Sequence, residues 1–278
     1  MAYVSASVGQ ISRKFQRPAL QLPGPVPVRG FRPAALPHRE SLRDIEACLR
    51  AQPEKLYHMG IRGNVSRSAP ADANESRDWR IYFEFAQTLV RLARELYAGQ
   101  SLGIELKETV YALDSMPIDL CLSMFEWASF HQTNAAVKLH TLLDLRGSIP
   151  TFIHIGDGKL HDVNVLDLLE PELGDFYVMD RGYVDFKRLH KFVLAGSFFV
   201  TRAKSNFKYR KIKANPVDRN IGVLSDQVVE MAGFHSRQHY PEQLRRFRYR
   251  DQERRLLIFL TNNMTLPATT ICDLYRLR

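Results

Sequence analysis

The chain has few cysteines, and they lie far from one another. Cys48, Cys121 and Cys272 are the three among 278 residues, and none belongs to a Cys-x-x-Cys pair. This spacing supports neither a structural zinc site nor a disulfide framework. We therefore expect a protein of a reducing, intracellular setting.

Long apolar runs are also missing. The most apolar later run covers residues 192–200 and is far too short to cross a bilayer. The first twenty residues contain scattered polar and basic groups and no apolar core of a signal peptide. We expect a cytosolic protein with no membrane partner.

Local signatures of nucleotide binding and of nucleophilic catalysis are absent as well. Gly156-Asp-Gly-Lys159 lacks the first glycine of a phosphate-binding loop and is followed by Leu160 instead of Ser or Thr. His161-Asp162 has no partner at metal-ligand spacing and is more typical of a helix cap. The predicted partners therefore include no small-molecule substrate.

What the chain has in excess is positive charge. It contains 39 Lys and Arg against 30 Asp and Glu, a formal net charge of +9, and 45% of its residues are hydrophobic. The hydrophobic content is enough for a real core. The charge points to a polyanionic partner more than to an acidic substrate.

Patterns along the chain predict its organisation. Residues 1–38 are rich in Pro, Arg and small residues and are expected to form a disordered tail, with a non-native origin as one option. A helical region is predicted at 39–104, a sheet-containing core at 105–202, a β-rich basic segment at 203–262, and the start of a further helix at 263–278. The predicted fold class is α/β, with a mixed sheet and flanking helices.

Individual elements follow from the same periodicities. The predicted helices cover about 41–53, 77–97, 163–169 and 185–194, and a capping box at 270–273 predicts a last helix. The predicted strands cover 110–115, 118–124, 136–145, 150–155, 176–179, 198–202, 247–250 and 255–260.

Two of these strands deliver an aspartate. Val110-Tyr-Ala-Leu-Asp-Ser-Met116 and Tyr177-Val-Met-Asp-Arg-Gly-Tyr183 each place apolar residues ahead of an acid and turn-prone residues after it. Carboxylates of this kind hold the two metal ions of many phosphoryl-transfer sites. Taken alone, the pattern fits strand-end aspartates that satisfy turn amides at least as well.

Several ordered blocks carry a family resemblance. They are Ser41-Leu-Arg-Asp-Ile-Glu-Ala-Cys-Leu49, Ala71-Asp-Ala-Asn-Glu-Ser-Arg77, Tyr111-Ala-Leu-Asp-Ser115, Ala136-Val-Lys-Leu-His-Thr-Leu-Leu-Asp144, Tyr177-Val-Met-Asp-Arg-Gly-Tyr183, Leu260-Thr-Asn-Asn263 and Leu274-Tyr-Arg-Leu-Arg278. Through them, residues 41–278 resemble the DDE transposases of bacterial insertion sequences, specifically the type-four group.

The resemblance implies a ribonuclease H-like sheet with Asp114 on its first strand and Asp180 after its fourth. Both would be catalytic and would ligate Mg²⁺ or Mn²⁺. The implied partner is double-stranded DNA, both transposon ends and target, with a homodimer on DNA as one option. The implied location is the bacterial cytoplasm, with nucleoid association when the protein is bound to DNA.

The resemblance also implies a last catalytic helix with a Tyr, an Arg three positions on, then a Glu and a Lys. Tyr275 and Arg278 match its first half and would contact DNA, while the Glu falls four positions beyond Arg278. The expected function is therefore metal-dependent DNA end cleavage and strand transfer, defective in this chain, which is truncated before its third acid. The alternatives are a non-catalytic DNA-binding transposase remnant and, less favoured, a cellular nuclease of related fold.

Other basic residues are candidate DNA contacts. In the segment 203–262, Lys208, Arg210 and Lys211 alternate with aromatics that can stack on unpaired bases, although a solvated hairpin face has the same composition. Lys138 shares one strand face with His140 and fits either a site contact or an ordinary half-buried strand pair. Arg181 flanks a turn glycine and fits a DNA contact or a structural role.

Overall fold

The computed structural model describes residues 42–58, 60–104, 106–120, 135–157 and 161–278. The tail predicted at 1–38 lies outside these ranges. Contacts divide the described residues into two units, one that ends at Leu89 and one that covers Val90–Arg278. The boundary between the two units falls inside the helix Arg80–Tyr97, whereas the sequence patterns predicted a domain boundary near residue 104.

The first unit is helical where it is described. Its helices are α1 (Leu42–Arg50), α2 (Pro53–His58), α3 (Ser68–Ser76) and the first half of α4 (Arg80–Tyr97). Leu56 of α2 is buried, whereas Ile81, Phe85 and Leu89 of α4 remain about half exposed. The apolar spacing therefore predicted α4 correctly, although its apolar stripe is not covered by the residues described.

The second unit is built on a nine-stranded sheet. The strands are β1 (Val110–Leu120), β2 (Ala135–Asp144), β3 (Ile149–Asp157), β4 (Phe176–Met179), β5 (Phe198–Arg202), β6 (Tyr209–Asn215), β7 (Val223–Met231), β8 (Leu244–Arg250) and β9 (Leu256–Thr261). Their order is β3-β2-β1-β4-β5-β9-β8-β7-β6. The β1–β4 and β4–β5 pairs are parallel and the others antiparallel, so the predicted mixed sheet is confirmed.

One strand is longer than the sequence suggested. The prediction broke β1 after Ser115 and began another strand at Ile118, which is wrong because β1 continues unbroken through Pro117 to Leu120. Beyond Leu113 the strand has left β4 and pairs with β2 alone. A proline is tolerated on such an edge because no ladder bond there requires its missing N–H.

Helices cover the two faces of the sheet. On one face, α6 (Phe186–Leu194) buries Leu189 and Phe192 against Tyr177 and Phe199. On the other, α8 (Ala268–Arg276) buries Ile271 and Leu274 among side chains of β1, β4, β5, β8 and β9. Alternate apolar side chains of the parallel strands therefore pack into two separate cores, one on each face of the sheet.

Shorter elements differ in detail from the sequence expectations. The helix predicted at 163–169 is one turn of α-helix, α5 (Asp162–Val165), followed by a 3₁₀ turn, Leu166–Leu168. Another 3₁₀ turn, Arg181–Tyr183, follows β4 directly, and α7 (Phe234–His239) joins β7 to β8. A third 3₁₀ turn, Arg219–Ile221, precedes β7.

The basic segment extends the core sheet. Strands β6 to β8 lie beyond β5, and β9 returns from them to pair with β5 from Val200↔Thr261 to Arg202↔Phe259. The predicted hairpin is present as β8 and β9, which pair from Arg245↔Thr261 to Arg250↔Leu256. Backbone hydrogen bonding is thus continuous from the acid-bearing strands to the basic ones.

Candidate functional site

Asp114 and Asp180 occupy equivalent positions on neighbouring strands. The parallel pairing of β1 with β4 runs from Val110↔Phe176 to Leu113↔Met179, and each aspartate is the next residue. Parallel strands that share a register bring such residues to the same edge of the sheet. The structure therefore places the two acids side by side, with Asp180 just after the end of β4 and Asp114 within β1, just past the end of its pairing with β4.

Both aspartates also belong to the face of the sheet that α8 covers. Alternation puts Asp114 on the side of Val110 and Asp180 on the side of Val178. Val110 and Val178 pack in the core that contains Ile271 of α8. The Asp114 side chain is 64% exposed, and Asp180 is partly buried.

The two carboxylates are oriented in the same way. The backbone N–H of Ser115 donates to Asp114 Oδ1 at 2.9 Å, and that of Arg181 donates to Asp180 Oδ1 at 2.6 Å. Each acid is thus oriented by the amide of the residue that follows it.

The end of α8 reaches both acids. Tyr275 Oη lies 3.5 Å from Asp180 Oδ1, and Arg278 Nη1 lies 3.5 Å from Asp114 Oδ1. The guanidinium of Arg278 lies 5.4 Å from the centre of the Tyr275 ring. Burial raises the pKa of Tyr275, so its hydroxyl stays protonated as a donor. A spacing of three had predicted one helical face for these side chains. In the structure α8 ends at Arg276, so Tyr275 approaches from the last turn of the helix and Arg278 from two residues beyond it.

Contacts from β8 hold α8 over the site. Arg276 Nη2 donates to the Tyr249 hydroxyl at 2.6 Å, and Arg245 Nη1 donates to the carbonyl of Leu266 just before the helix. The predicted capping box does not form, because the helix begins at Ala268 and Asp273 contacts Arg276 at 3.1 Å. Tertiary contacts thus replace the expected local cap.

Lys138 lies away from the acids. Its neighbour on the same face, His140, pairs across the strands with Ser115, and alternation puts all three on the side opposite Asp114. Lys138 Nζ lies 2.5 Å from Asp162 Oδ1. Of the two interpretations kept open for Lys138 and His140, the paired, half-buried strand agrees with this placement.

His140 is fully buried beside Tyr183. Its Nδ1 lies 3.1 Å from the Tyr183 hydroxyl oxygen, and burial lowers the pKa of His140 to about 4. The imidazole is therefore neutral at pH 7. The sequence patterns did not indicate that Asp162 pairs with Lys138 next to this histidine, because they predicted that His161-Asp162 is a helix cap. His161 does occupy the cap position of α5, but its side chain makes no cap hydrogen bond.

The other predicted DNA contacts are exposed, and one is already paired. Arg181 is exposed on the turn after Asp180, Lys208 is exposed just before β6, and Lys211 is exposed on β6. Arg210 Nη2 lies 2.5 Å from Glu230 Oε1. Arg210 is therefore partly neutralised, unlike the simple positive patch expected from composition.

Two further arginines of the basic segment are buried. Arg245 forms an ion pair with Asp226 at 2.6 Å, and both side chains are under a tenth exposed. The Arg246 guanidinium lies 4.6 Å from the centre of the Tyr209 ring. These two guanidinium groups are buried within the fold. The number of basic residues in the segment is therefore larger than the number of positive charges on its surface.

The two acids have the chemistry to form part of a metal-binding set. Oxygen ligands from carboxylates suit hard divalent cations, and both aspartates fit that role. Within the described ranges, no group of three or more His, Cys, Asp or Glu residues could hold a metal ion. The residues present therefore fit a shared two-carboxylate site and provide no third acid.

Strand order and site together define the class. An antiparallel β3-β2-β1 edge continues into parallel β4 and β5, and acids follow matching positions on β1 and β4. This is the arrangement of a ribonuclease H-like domain, in agreement with the expectation from the sequence. Among the residues that the structure describes, none of the helices is long and apolar enough to span a membrane.

The family follows from comparison with known proteins. The transposase DDE domain family matches residues 105–278, and a domain family of unknown function matches residues 31–62. The chain belongs to the DDE transposase family. Members of this family generally use divalent metal ions.

Two relatives and one solved structure show the extent of the similarity. The chain is 29% identical over 211 residues to the putative transposase y4zB of Sinorhizobium fredii, covering 74% of this chain and 57% of the relative. It is 28% identical over 168 residues to a probable transposase for insertion sequence element IS5377 of Geobacillus stearothermophilus, covering 60% and 44%. A cryo-EM structure of the piggyBac transposase synaptic complex with hairpin DNA aligns with a TM-score of 0.38 at 12% identity, covering 74% of this chain and 46% of that one. The chain thus spans about half the length of these relatives.

Proposed function

We propose that this chain is the catalytic part of a DNA transposase that cleaves transposon ends and joins them to target DNA. The observation that supports this most directly is the meeting of four residues at one sheet edge. Asp114 and Asp180 follow paired strand positions, Tyr275 approaches them from α8, and Arg278 approaches from just beyond the end of that helix.

Asp114 and Asp180 are the proposed ligands for Mg²⁺ or Mn²⁺. Bound cations of this kind activate an attacking oxygen and stabilise charge on a phosphoryl group. The amides of Ser115 and Arg181 orient the two carboxylates, which reduces their freedom before a ligand arrives. The Arg278 guanidinium would then contact a DNA phosphate, and the Tyr275 hydroxyl would donate a hydrogen bond beside Asp180.

The proposed DNA surface continues from the site into the basic strands. Arg181 lies directly after Asp180, while Lys208 and Lys211 are exposed at β6. Lysine and arginine side chains bind phosphates and release condensed counterions, so DNA affinity should fall steeply with salt. A homodimer on DNA belongs to the proposal, as does action in the bacterial cytoplasm at the nucleoid. Light scattering of the DNA complex would measure the number of copies.

A second candidate is a DNA-binding remnant without catalysis. It is favoured by the pair of acids, since a two-metal site held by two carboxylates binds its second ion weakly. Under this alternative, residues 1–278 bind double-stranded DNA, and binding survives Asp114→Ala and Asp180→Ala. Robust Mg²⁺-dependent nicking of plasmid DNA by the same polypeptide, abolished by either substitution, would exclude the remnant.

Direct metal titration tests the proposed site. Free Mn²⁺ measured by electron paramagnetic resonance should report binding to the wild-type chain, and Asp114→Asn or Asp180→Asn should weaken it at least about 100-fold through loss of a carboxylate ligand. Asp273→Asn is the control, because Asp273 lies on α8 and pairs with Arg276. Binding that is equal in all four proteins would rule out a metal site at these acids.

A further inference from the structure

Asp162 makes a cluster of contacts on the side of the sheet opposite Asp114. It is the first residue of α5, and its side chain is 24% exposed. Its Oδ1 lies 2.5 Å from Lys138 Nζ and accepts a hydrogen bond from Ser115 Oγ at 3.2 Å. The strand β1 is thereby joined to α5 at the residue that follows Asp114.

The same carboxylate also lies against the turn that follows Asp180. A Cβ built on Gly182 would lie 3.1 Å from Asp162 Oδ2, closer than nearly all real contacts of this kind. Gly182 is the middle residue of the 3₁₀ turn Arg181–Tyr183. Asp162 therefore touches the segment after each of the two acids.

These two segments set the orientation of the acids. The amide of Ser115 binds the Asp114 carboxylate, and the amide of Arg181 binds that of Asp180. Tyr183, at the end of the turn, is buried and within hydrogen-bonding distance of His140 on β2. A shift of Ser115 or of the turn would therefore move the carboxylates relative to each other.

We infer that Asp162 is a positioning residue for the acid pair, acting through Ser115 and Gly182. The inference rests on the proposed function in so far as the acids bind metal. The ion pair with Lys138 holds the Asp162 carboxylate between the two segments. Lys138 thus supports the site from the opposite face of the sheet, and a side chain at residue 182 would displace the Asp162 carboxylate by a few tenths of an ångström.

Asp167 provides a matched control for an ordinary surface ion pair. It lies in the 3₁₀ turn after α5, and its carboxylate contacts Lys191 Nζ at 2.5 Å and Arg188 at 2.8 Å. Both cations belong to α6, so Asp167 links the 3₁₀ turn after α5 to α6. None of these contacts of Asp167 is with the segment after Asp114 or the segment after Asp180. Loss of a carboxylate–lysine contact is common to Asp162→Ala and Asp167→Ala, whereas loss of the Ser115 and Gly182 contacts is specific to the first.

Amide hydrogen exchange tests the inference without metal or DNA. In Asp162→Ala, exchange at Ser115 and Arg181 should accelerate about tenfold, the size expected when the support of one hydrogen bond is lost. Asp167→Ala should leave these two amides at wild-type rates. Unchanged exchange in Asp162→Ala, or equal acceleration in both variants, would overturn the inference.

Two variants separate positioning from general loss of structure. Gly182→Ala keeps Asp162 but pushes a methyl group against its carboxylate, so it too should accelerate exchange at Ser115 and Arg181. In the Asp162→Ala background that methyl group finds space, and Gly182→Ala should add little. If Asp162→Ala does not fold, the Gly182→Ala result decides alone, and wild-type exchange in it would contradict the inference.

Mn²⁺ affinity links the inference to the proposed site. Asp162→Ala should bind Mn²⁺ about 10-fold to 100-fold more weakly, the usual result of removing a supporting group behind a metal ligand, and Asp167→Ala should bind as the wild type does. If wild-type Mn²⁺ binding proves independent of Asp114, the proposed function fails while the exchange result still stands. If binding depends on Asp114 but Asp162→Ala leaves it unchanged, the positioning role is refuted.

Discussion

The two halves of the sheet differ in how deeply their charged side chains are buried. Around β1 and β4, apolar strands lead to Asp114, whose side chain is 64% exposed and meets Arg278 at 3.5 Å. Around β7 and β8, Asp226 and Arg245 are 5% and 7% exposed and meet at 2.6 Å. The first half leaves Asp114 exposed and Asp180 partly buried where their paired strands separate, and the second half buries opposite charges against each other.

This contrast shows that the number of charges alone does not locate function. A buried ion pair must be matched closely to offset the cost of removing both groups from water, whereas an exposed carboxylate keeps its hydration until a ligand displaces it. Arg245, Arg246 and Arg210 contribute to the basic composition of residues 203–262, yet each has a partner within the fold. Lys208 and Lys211 are exposed and are the better candidates for DNA.

Breaking the buried pair should have the largest effect on stability. Arg245→Met leaves Asp226 charged and buried without its main partner, and we expect a loss of about 3–5 kcal/mol in the free energy of unfolding. Arg248→Met, at an exposed position of the same strand, should change stability by less than about 0.5 kcal/mol. Urea unfolding measures both, and a similar loss in the two variants would contradict the contrast drawn above.

Acid should weaken the first half of the sheet through His140. Its pKa is lowered by burial from 6.5 to about 4, with Lys138 and His154 acting in the same direction and Asp162 against them. Because the unfolded chain binds the proton first, stability is fully present above pH 6.5 and falls as pH drops from 6.5 toward 4, by about 3 kcal/mol. His140→Gln should flatten this part of the stability profile measured by urea unfolding, and a profile as steep as that of the wild type would show that another group is responsible.

The exposed and the paired cations of β6 should differ in their effect on DNA binding. Lys208→Ala and Lys211→Ala should each reduce the slope of log affinity against log salt by about 1, because each removes one phosphate contact. Arg210→Ala should reduce it by less, since Glu230 already neutralises that guanidinium at 2.5 Å. Fluorescence anisotropy with duplex DNA over a salt series measures the slopes. Equal slopes for all three variants would mean that pairing in the free protein does not decide which residues bind.

The smallest expected effect comes from Glu230→Gln. Glu230 contacts Arg210 and Arg237, whose side chains are 65% and 51% exposed, so the ion pairs should contribute less than about 1 kcal/mol to stability. Freed cations should instead strengthen DNA binding slightly and steepen its salt dependence. A loss in the free energy of unfolding well above about 1 kcal/mol would show that these ion pairs stabilise the fold, as the buried pair of Asp226 and Arg245 does.

Much of the site was predictable because it depends on local patterns. Apolar residues ahead of Asp114 and Asp180 predicted two strands that carry acids, although β1 does not end at Asp114 but continues to Leu120. The family resemblance implied that the acids lie on the first strand and after the fourth strand of one sheet. Asp162 was not predictable in this way, since its partners Lys138 and Ser115 lie far from it in sequence and its own neighbours suggest a helix cap.

The sequence by itself determined the class of this protein, because strand periodicity, two aspartates that follow apolar strand residues and ordered motif blocks are short-range properties that can be read from the chain alone. Only the tertiary structure determined which charged side chains are exposed and available to bind a partner. The energy of a charge depends on its burial and on partners brought from elsewhere in the chain, so composition could not distinguish the buried Arg245 from the exposed Lys211. For the same reason, only the folded chain shows Asp162 lying between the segments that carry the two acids.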